Sequence, residues 1–274
     1  MNSKAGNFNQ GKMNRRPFSD PRRPSQLEED RHWWFASRTR ALFTLMDALS
    51  LNDSGLQLLD IGCGAGNMIH HLSRYGKVWG VEIDARPIAV ARQRGYDVHL
   101  GDASRGLAYP NASFDVVAVL DVLEHNQDDQ GILREACRVL RPCGYLIVTT
   151  PAFMWLWSYN DVLNAHVRRY NIPELRSKLE RAGFEIQRIS YNNFFIFPVA
   201  AALIFVRRAG ARPPQLRSHH LSAEAYQVEM EPVPPLVNFV LTALGWVEAQ
   251  LLRWTDLPIG TGIVAIARKM EQHE

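Results

Sequence analysis

Short apolar runs alternate with helical patterns through the middle of the chain. The apolar runs predict strands at 56–61, 78–83, 97–100, 114–120 and 145–149. Helical spacing of apolar positions predicts helices at 67–75, 86–94, 128–140 and 173–182. Because the strands are continuously apolar, we expect helices on both faces of a parallel, doubly wound sheet. Such an α/β fold binds its ligand at the carboxyl ends of the strands.

The carboxyl-terminal part of the chain predicts two further strands, at 184–191 and 262–268. The segment 193–257 between them is too long for a hairpin, and we interpret it as an inserted apolar helical subdomain before the last strand. The predicted organisation is a disordered basic tail, a helical cap, a cofactor-binding α/β domain and this insertion. Their boundaries are 1–25 for the tail, 26–55 for the cap, 56–192 plus 258–270 for the α/β domain, and 193–257 for the insertion.

The insertion carries two apolar stretches, 194–206 and 236–252. Both are shorter than the roughly 20 residues that a spanning helix needs, so neither is expected to cross a membrane. The second stretch has only a narrow polar stripe, formed by Asn238, Thr242 and Gly245, and therefore needs burial or a lipid surface. One interpretation is a pair of membrane-facing helices that admits a lipid-linked acceptor. The other is a lid or a homodimer surface.

Composition narrows the choice of partners and compartment. The chain has 274 residues, of which 46% are hydrophobic, and a formal net charge of +3. This near-neutral balance predicts no nucleic-acid partner. The three cysteines lack metal-ligand spacing, and no apolar segment follows the early basic residues. We therefore expect a cytoplasmic protein, with peripheral membrane association left open by the apolar insertion.

A glycine-rich turn follows the first predicted strand and reads Asp60-Ile61-Gly62-Cys63-Gly64-Ala65-Gly66. Glycines let the backbone turn tightly and approach a ligand closely. The acid before the first glycine disfavours a pyrophosphate and favours a ligand with a cationic part, such as S-adenosyl-L-methionine (SAM). An NAD-dependent oxidoreductase is the alternative, but Asn67 stands where the dinucleotide motif requires its last glycine.

Further acids follow the next strands. Glu82 lies about 20 residues after Gly62, where a carboxylate accepts hydrogen bonds from ribose hydroxyls. Asp102 either accepts the adenine amino group or is a turn aspartate, and Asp121 is expected to face the ligand from the fourth strand. Glu124 and His125 follow after Val122 and Leu123, and capping of the next helix is the simplest interpretation of that pair.

Taken together, these motifs resemble those of the class I SAM-dependent methyltransferases. Residues 60–66, 81–84 and 101–103 resemble the first three motifs of that family, and 114–117 with 123–125 resemble the fourth. Residues 138–144 resemble the entry to the fifth strand, although Cys143 replaces a glycine. The resemblance implies a Rossmann-like seven-stranded, mostly parallel sheet whose last strand is antiparallel.

The resemblance also implies a set of cofactor-binding positions. Asp60 and the backbone of the turn would hold the methionine part and ribose of SAM, Glu82 the ribose diol, Ile83 the adenine face, and Asp102 with Ala103 the adenine edge. The turn residues concerned are Gly62, Cys63, Gly64 and Gly66. From the cap, Arg38 is a candidate for the SAM carboxylate and Trp34 for closing over the ligand. The alternative is an amphipathic cap helix over 35–49 that leaves Arg38 in water.

Both flanks of the domain resemble a bacterial subgroup of this family. The matching segments are 32–35 with Arg38, 155–158 with Asp161, and 166–170. Members are often associated with small molecules, sugars, lipids and other cell-envelope intermediates, although fold and cofactor do not fix the acceptor. We therefore expect methyl transfer to a small-molecule, sugar or lipid-linked acceptor, at oxygen. A non-catalytic SAM-binding protein is a further alternative.

A hydroxyl acceptor calls for a general base, and histidine suits that role near neutral pH. His166 is the first candidate, with Asp161 close enough in sequence to orient it, and His125 is the second. The alternative is a structural histidine that hydrogen-bonds a backbone carbonyl. No acid-plus-histidine group has ligand spacing along the sequence, so no metal site is predicted.

Overall fold

One seven-stranded sheet organises the chain, in the order β3-β2-β1-β4-β5-β7-β6. The computed structural model describes residues 27–49, 51, 55–209 and 233–271, so the predicted basic tail lies outside the described residues. The strands are β1 (Leu56–Ile61), β2 (Gly76–Glu82), β3 (Asp97–Leu100), β4 (Phe114–Leu120), β5 (Leu140–Pro151), β6 (Phe184–Asn192) and β7 (Gly262–Lys269). All seven predicted strands are confirmed. Strand β5 begins earlier than expected because Phe114 of β4 already pairs with Leu140.

Strand directions confirm the predicted Rossmann-like topology. Strands β3, β2, β1, β4 and β5 are parallel, and β7 inserts antiparallel between β5 and β6. The strand order reverses between β1 and β4, which is where doubly wound sheets form their ligand crevice. The elements that carry Asp60 and Asp121 are therefore neighbours.

Eight α-helices are described around the sheet. They are α1 (Trp33–Asp47), α2 (Asn67–Leu72), α3 (Ala85–Gln93), α4 (Asp129–Val139), α5 (Tyr159–Leu163), α6 (Ile172–Arg181), α7 (Phe197–Ala209) and α8 (Pro235–Leu252). Alternate residues of β4 point into two different hydrophobic cores: Val117 and Val119 into one, Val116 and Ala118 into the other. Helices therefore cover both faces of the sheet, as the continuous apolar strands predict.

The segment after β5 is fastened across the carboxyl ends of β4 and β5. The backbone of Tyr170 donates to the Pro151 carbonyl at 3.0 Å and accepts from Phe153 N–H at 2.7 Å. The buried Tyr170 hydroxyl donates to Asp129 at 2.7 Å. Val167 N–H donates to the Glu124 carbonyl at 2.7 Å. These bonds fix the position of residues 153–170 above the sheet edge.

The polar stripe of α8 faces the cap helix α1. Asn238 Oδ1 accepts from Trp33 N–H at 2.8 Å, and Arg40 donates to the Thr242 carbonyl at 3.2 Å. A Cβ on Gly245 would lie 2.0 Å from Ser37 Oγ, so only glycine permits this approach. The two helices predicted between β6 and β7 are confirmed, and α8 packs against the cap through its few polar positions.

A buried carboxylate attaches α8 to the end of β6. Glu248 accepts hydrogen bonds from Asn193 N–H at 2.5 Å and Phe194 N–H at 2.7 Å. Burial raises the pKa of Glu248, and these amide donors oppose that rise by favouring the charged form. The one acid within the apolar helix therefore serves as an anchor for the backbone after β6.

Candidate active site

The glycine turn follows β1 and requires residues without a Cβ. Gly62 has φ +74° and Gly66 has φ +82°. A Cβ on Gly62 would lie 2.4 Å from Val122 Cγ2, and one on Gly66 would lie 2.3 Å from the Tyr96 ring. Gly62 N–H donates to the Val81 carbonyl at 2.7 Å, which draws the turn against β2. A ligand can therefore approach the backbone of this turn closely, at the point where the strand order of the sheet reverses.

Asp60, at the end of β1, is buried beside this turn. Its Oδ2 atom has no hydrogen-bond partner among the described residues. Burial, and secondarily the negative charge of Glu82, raise the pKa of Asp60 to about 7 against the opposing effect of Arg38. A buried carboxylate oxygen without a protein partner is uncommon and needs an explanation. The cationic part of SAM fits that position.

The remaining cofactor positions cluster at the same sheet edge. Glu82 accepts from the N–H groups of Gly64 at 2.9 Å, Ile83 at 2.8 Å and Asp84 at 3.1 Å. Ile83 is 65% exposed directly after β2, where its side chain is available to a flat ring. In the same turn, burial and the neighbouring carboxylates raise the pKa of the Cys63 thiol, so Cys63 is not an activated nucleophile.

Asp102 has local partners after β3. It accepts from Ser104 N–H at 2.9 Å and from Ser104 Oγ at 2.7 Å, and it pairs with Arg105 at 3.2 Å. These contacts match the turn-aspartate interpretation. Ala103 beside it is buried. Their contacts to adenine stay a prediction.

Arg38 reaches from the cap helix to the carboxyl end of β4, where it pairs with Asp121. Asp121 has φ +55° and also accepts from Thr149 Oγ1 at 2.9 Å. Because the Arg38 side chain is only 13% exposed, the alternative that leaves it in water is wrong. Its Nε atom is buried without a hydrogen-bond partner among the described residues. Half-buried Trp34 lies one turn earlier on the same helix, with its ring edge against Trp33.

The side of the site opposite the glycine turn contains a histidine held by an acid. His166 Nδ1 lies 2.9 Å from Asp161 Oδ1, which agrees with the contact predicted from sequence. Arg169 binds both oxygens of Asp161, at 2.7 and 2.8 Å. Burial opposes ionisation of Asp161, but hydrogen bonds from His166 and Arg169 hold its pKa below the ordinary value. Asp161 is therefore an anion that orients the His166 ring.

The capping interpretation of Glu124 and His125 is wrong. They form a single 3₁₀ turn, Leu123–His125, and Asp128 caps α4 by accepting from Gly131 N–H at 2.8 Å. Glu124 is instead buried, and its Oε2 has no hydrogen-bond partner among the described residues. Burial and the neighbouring charge of Asp121 raise the pKa of Glu124.

Folding assembles an acid-plus-histidine group that the sequence analysis missed. The His125 and His166 rings lie 4.7 Å apart, edge to face. One potential ligand atom from each of Glu124, His125 and His166 lies within 4.8 Å of the other two. The expectation that no such group exists was based on spacing along the chain. The fold overturns it by placing the 153–170 segment on the Glu124 carbonyl.

The two sides form one continuous site. Arg38 pairs with Asp121, and its charge favours the ionised forms of both Asp60 and Glu124, so one cation acts on the carboxylates of both sides. The fold and these positions define the class of SAM-binding α/β proteins of the methyltransferase type.

Comparisons with known proteins agree with this class. Residues 59–148 match the family model described as a methyltransferase domain. The chain is 33% identical over 178 residues to a probable S-adenosylmethionine-dependent methyltransferase of Mycolicibacterium smegmatis, covering 62% of this chain and 66% of the relative. It is 36% identical over 115 residues to a ubiquinone biosynthesis O-methyltransferase of a Bradyrhizobium species, covering 40% and 46%. The chain thus spans about half to two thirds of the length of these relatives.

A solved structure supports the fold independently. An S-adenosylmethionine-dependent methyltransferase from Mesorhizobium loti superposes with a TM-score of 0.52 at 18% identity, covering 84% of this chain and 98% of that one. The chain belongs to the class I SAM-dependent methyltransferases, and its cofactor is SAM.

The raised pKa of the buried Asp60 carboxyl predicts that SAM affinity depends on pH. Below its pKa of about 7 the carboxyl is neutral and does not attract the cationic cofactor, so affinity is expected to rise as pH increases through 7. The change is at most about tenfold per pH unit. Calorimetric titration of SAM between pH 6 and 8 measures it. Asp60→Asn is expected to bind SAM more weakly and to flatten the profile, and an unchanged profile in that variant would exclude Asp60 as the titrating group.

Proposed function

We propose that the protein transfers the methyl group of SAM to an oxygen atom of an acceptor that it takes from a membrane surface. The observation that carries the choice of oxygen is the His166–Asp161 pair beside Glu124 and His125. A hydroxyl needs such a group because it is a weak nucleophile until its proton is removed. The O-methyltransferase named among the relatives supports the same choice.

The transfer itself is a displacement at carbon. The acceptor oxygen forms a bond to the methyl carbon, the carbon–sulfur bond breaks with its electron pair going to sulfur, and the hydroxyl proton leaves through the histidine group. Because the sulfonium is already activated, the protein mainly aligns the reactants, which contributes up to about 7–11 kcal/mol to lowering the barrier. The glycine turn and Asp60 would hold the donor while His125 and His166 face the acceptor.

The choice of a membrane-derived acceptor is based on the orientation of α8. Its polar stripe faces α1, so its apolar side chains point away from the domain. Leu236 is 74% exposed, Phe239 70%, and Trp254, just after the helix, 88%. This is the reverse of a surface helix in water, which turns its apolar face inward. Exposed tryptophan is also typical of membrane interfaces.

Helix α8 is better suited to lie on a membrane than to cross it. Contrary to the length argument from sequence, it is long and apolar enough to span, the only such helix among the described residues. Its packing against α1 and the Glu248 anchor keep it on the domain surface. Helix α7 also exposes apolar side chains, among them Leu203 and Phe205.

A row of stacked aromatic rings leads from α7 to the 153–170 segment, which carries His166. Phe205 of α7 stacks on Trp155 at 5.9 Å between ring centroids, and Trp155 stacks on Phe153 at 5.5 Å. Phe153 follows β5 and stacks in turn on Tyr191 at 4.9 Å. We expect an apolar acceptor tail to pack along the exposed part of this row, on the same 153–170 segment that carries His166.

The sequence also supplies charge for such a surface. Arg207, Arg208, Arg212 and Arg217 occur where α7 ends and in the segment that follows. Arginine attracts anionic lipid headgroups, by about 1 kcal/mol per residue near the surface. The side chains of these arginines lie outside what the structure describes, so this support comes from sequence alone.

Replacing His166 tests the oxygen-transfer chemistry. With methyl-labelled SAM and a bacterial total lipid extract, His166→Ala is expected to lower label incorporation by about 10²–10⁴-fold because proton removal is lost. SAM affinity is expected to stay unchanged. The matched control is His99→Ala, which removes an exposed histidine that pairs with Asp97 outside the site. Unchanged turnover in His166→Ala would contradict the proposed role.

Vesicle flotation tests the membrane surface. Wild-type protein is expected to float with vesicles of phosphatidylcholine and phosphatidylglycerol, and Leu236→Asp with Phe239→Asp is expected to stay in solution. Gln187→Asp with Ser177→Asp places the same two charges on exposed residues of β6 and α6 and is expected to float like wild type. Absence of vesicle binding together with a dimer in solution would favour the lid or homodimer interpretation of the exposed apolar side chains of α7 and α8 instead.

A further inference from the structure

The geometry points to a site for a divalent transition metal formed by Glu124, His125 and His166. One potential ligand atom from each lies within 4.8 Å of the other two, so small side-chain rotations would bring all three to the roughly 2.0–2.2 Å that ligands of a single ion require. Two imidazoles and one carboxylate suit Mn²⁺, Fe²⁺, Co²⁺ or Zn²⁺, whereas Mg²⁺ and Ca²⁺ prefer all-oxygen sites.

Glu124 supplies a second, independent observation. It is 1% exposed, and its Oε2 atom has no hydrogen-bond partner among the described residues. The charges of Arg38 and Arg169 act on this carboxylate, yet neither side chain donates a hydrogen bond to Oε2. Buried carboxylates are normally paired or coordinate a metal. An ion between Glu124 and the two histidines would satisfy the orphaned oxygen.

His166 is oriented as metal-binding histidines usually are. Such histidines hold the ring through the second nitrogen, by a bond to a carboxylate or to the backbone. His166 uses Nδ1 for Asp161, which leaves Nε2 for an ion. Asp161 is itself fixed by Arg169, so the His166 ring has little freedom to turn away.

The role of this ion rests on the proposed function. Three protein ligands leave coordination positions open, and an acceptor hydroxyl bound there loses its proton more readily because the ion stabilises the alkoxide. The proton passes to solvent, the oxygen lone pair attacks the methyl carbon, and the carbon–sulfur electron pair goes to sulfur. With the ion bound, His166 contributes to proton removal as a ligand to the ion, and without the ion it accepts the proton directly, so His166→Ala lowers methyl transfer in either case.

Cobalt titration tests the site directly. Tag-free protein treated with a chelator and titrated with Co²⁺ is expected to develop visible absorption bands at one ion per chain. Glu124→Gln and His125→Ala are each expected to weaken Co²⁺ binding by at least about 10-fold, the lower end of what loss of an outer hydrogen-bonding partner costs at such sites. His99→Ala is the matched control and is expected to bind Co²⁺ like wild type. SAM affinity and circular dichroism show that each variant is folded.

The outcomes separate the metal site from the proposed function. Absence of the bands, or bands that persist in both folded variants, would overturn the metal site. His125 is exposed, so His125→Ala keeps the test valid even where Glu124→Gln fails to fold. Loss of the bands in the variants supports the site. The same loss without any methyl transfer to oxygen would keep the site and refute the proposed function.

Discussion

The excess of carboxylates at one edge of the sheet is the constraint on which the site depends. Asp60, Glu82, Asp121 and Glu124 all lie at the carboxyl ends of neighbouring parallel strands or just beyond them. Burial raises the pKa of Asp60 and of Glu124, and each has an oxygen without a hydrogen-bond partner among the described residues. Buried negative charge of this density is costly unless cations balance it. Arg38 provides part of that balance, and a cationic cofactor provides more.

The sheet topology explains why the same cations can balance the carboxylates on both sides of the site. Strands β1 and β4 are adjacent, so the backbone of Gly62 lies against Val122 and the two sides of the site touch. The 153–170 segment is held on the Glu124 carbonyl and by the buried Tyr170 hydroxyl. Donor and acceptor positions are therefore built on the same strand ends. This suits a reaction in which the protein contributes alignment more than chemistry.

Local patterns allowed the sequence to predict the sheet and the cofactor side. Strand runs, the glycine turn and Glu82 are each determined by neighbours in sequence, and the structure has them where they are expected. The acceptor side is different, because Glu124 and His166 come together only when the 153–170 segment binds the Glu124 carbonyl. The spacing of these residues along the chain does not predict that contact. For α8, the stripe of Asn238, Thr242 and Gly245 was visible in the sequence. Its direction, toward α1, depends on tertiary contacts that periodicity does not encode.

Metal-assisted methyl transfer is tested most directly by measuring whether the ion and the methyl group of SAM occupy one site. Mn²⁺ bound at Glu124, His125 and His166 is expected to broaden the NMR signal of ¹³C-methyl-labelled SAM in the ternary complex, and Glu124→Gln is expected to remove that broadening while SAM remains bound. A sharp methyl signal in wild-type protein with both Mn²⁺ and SAM bound would contradict a metal-assisted transfer at this sheet edge.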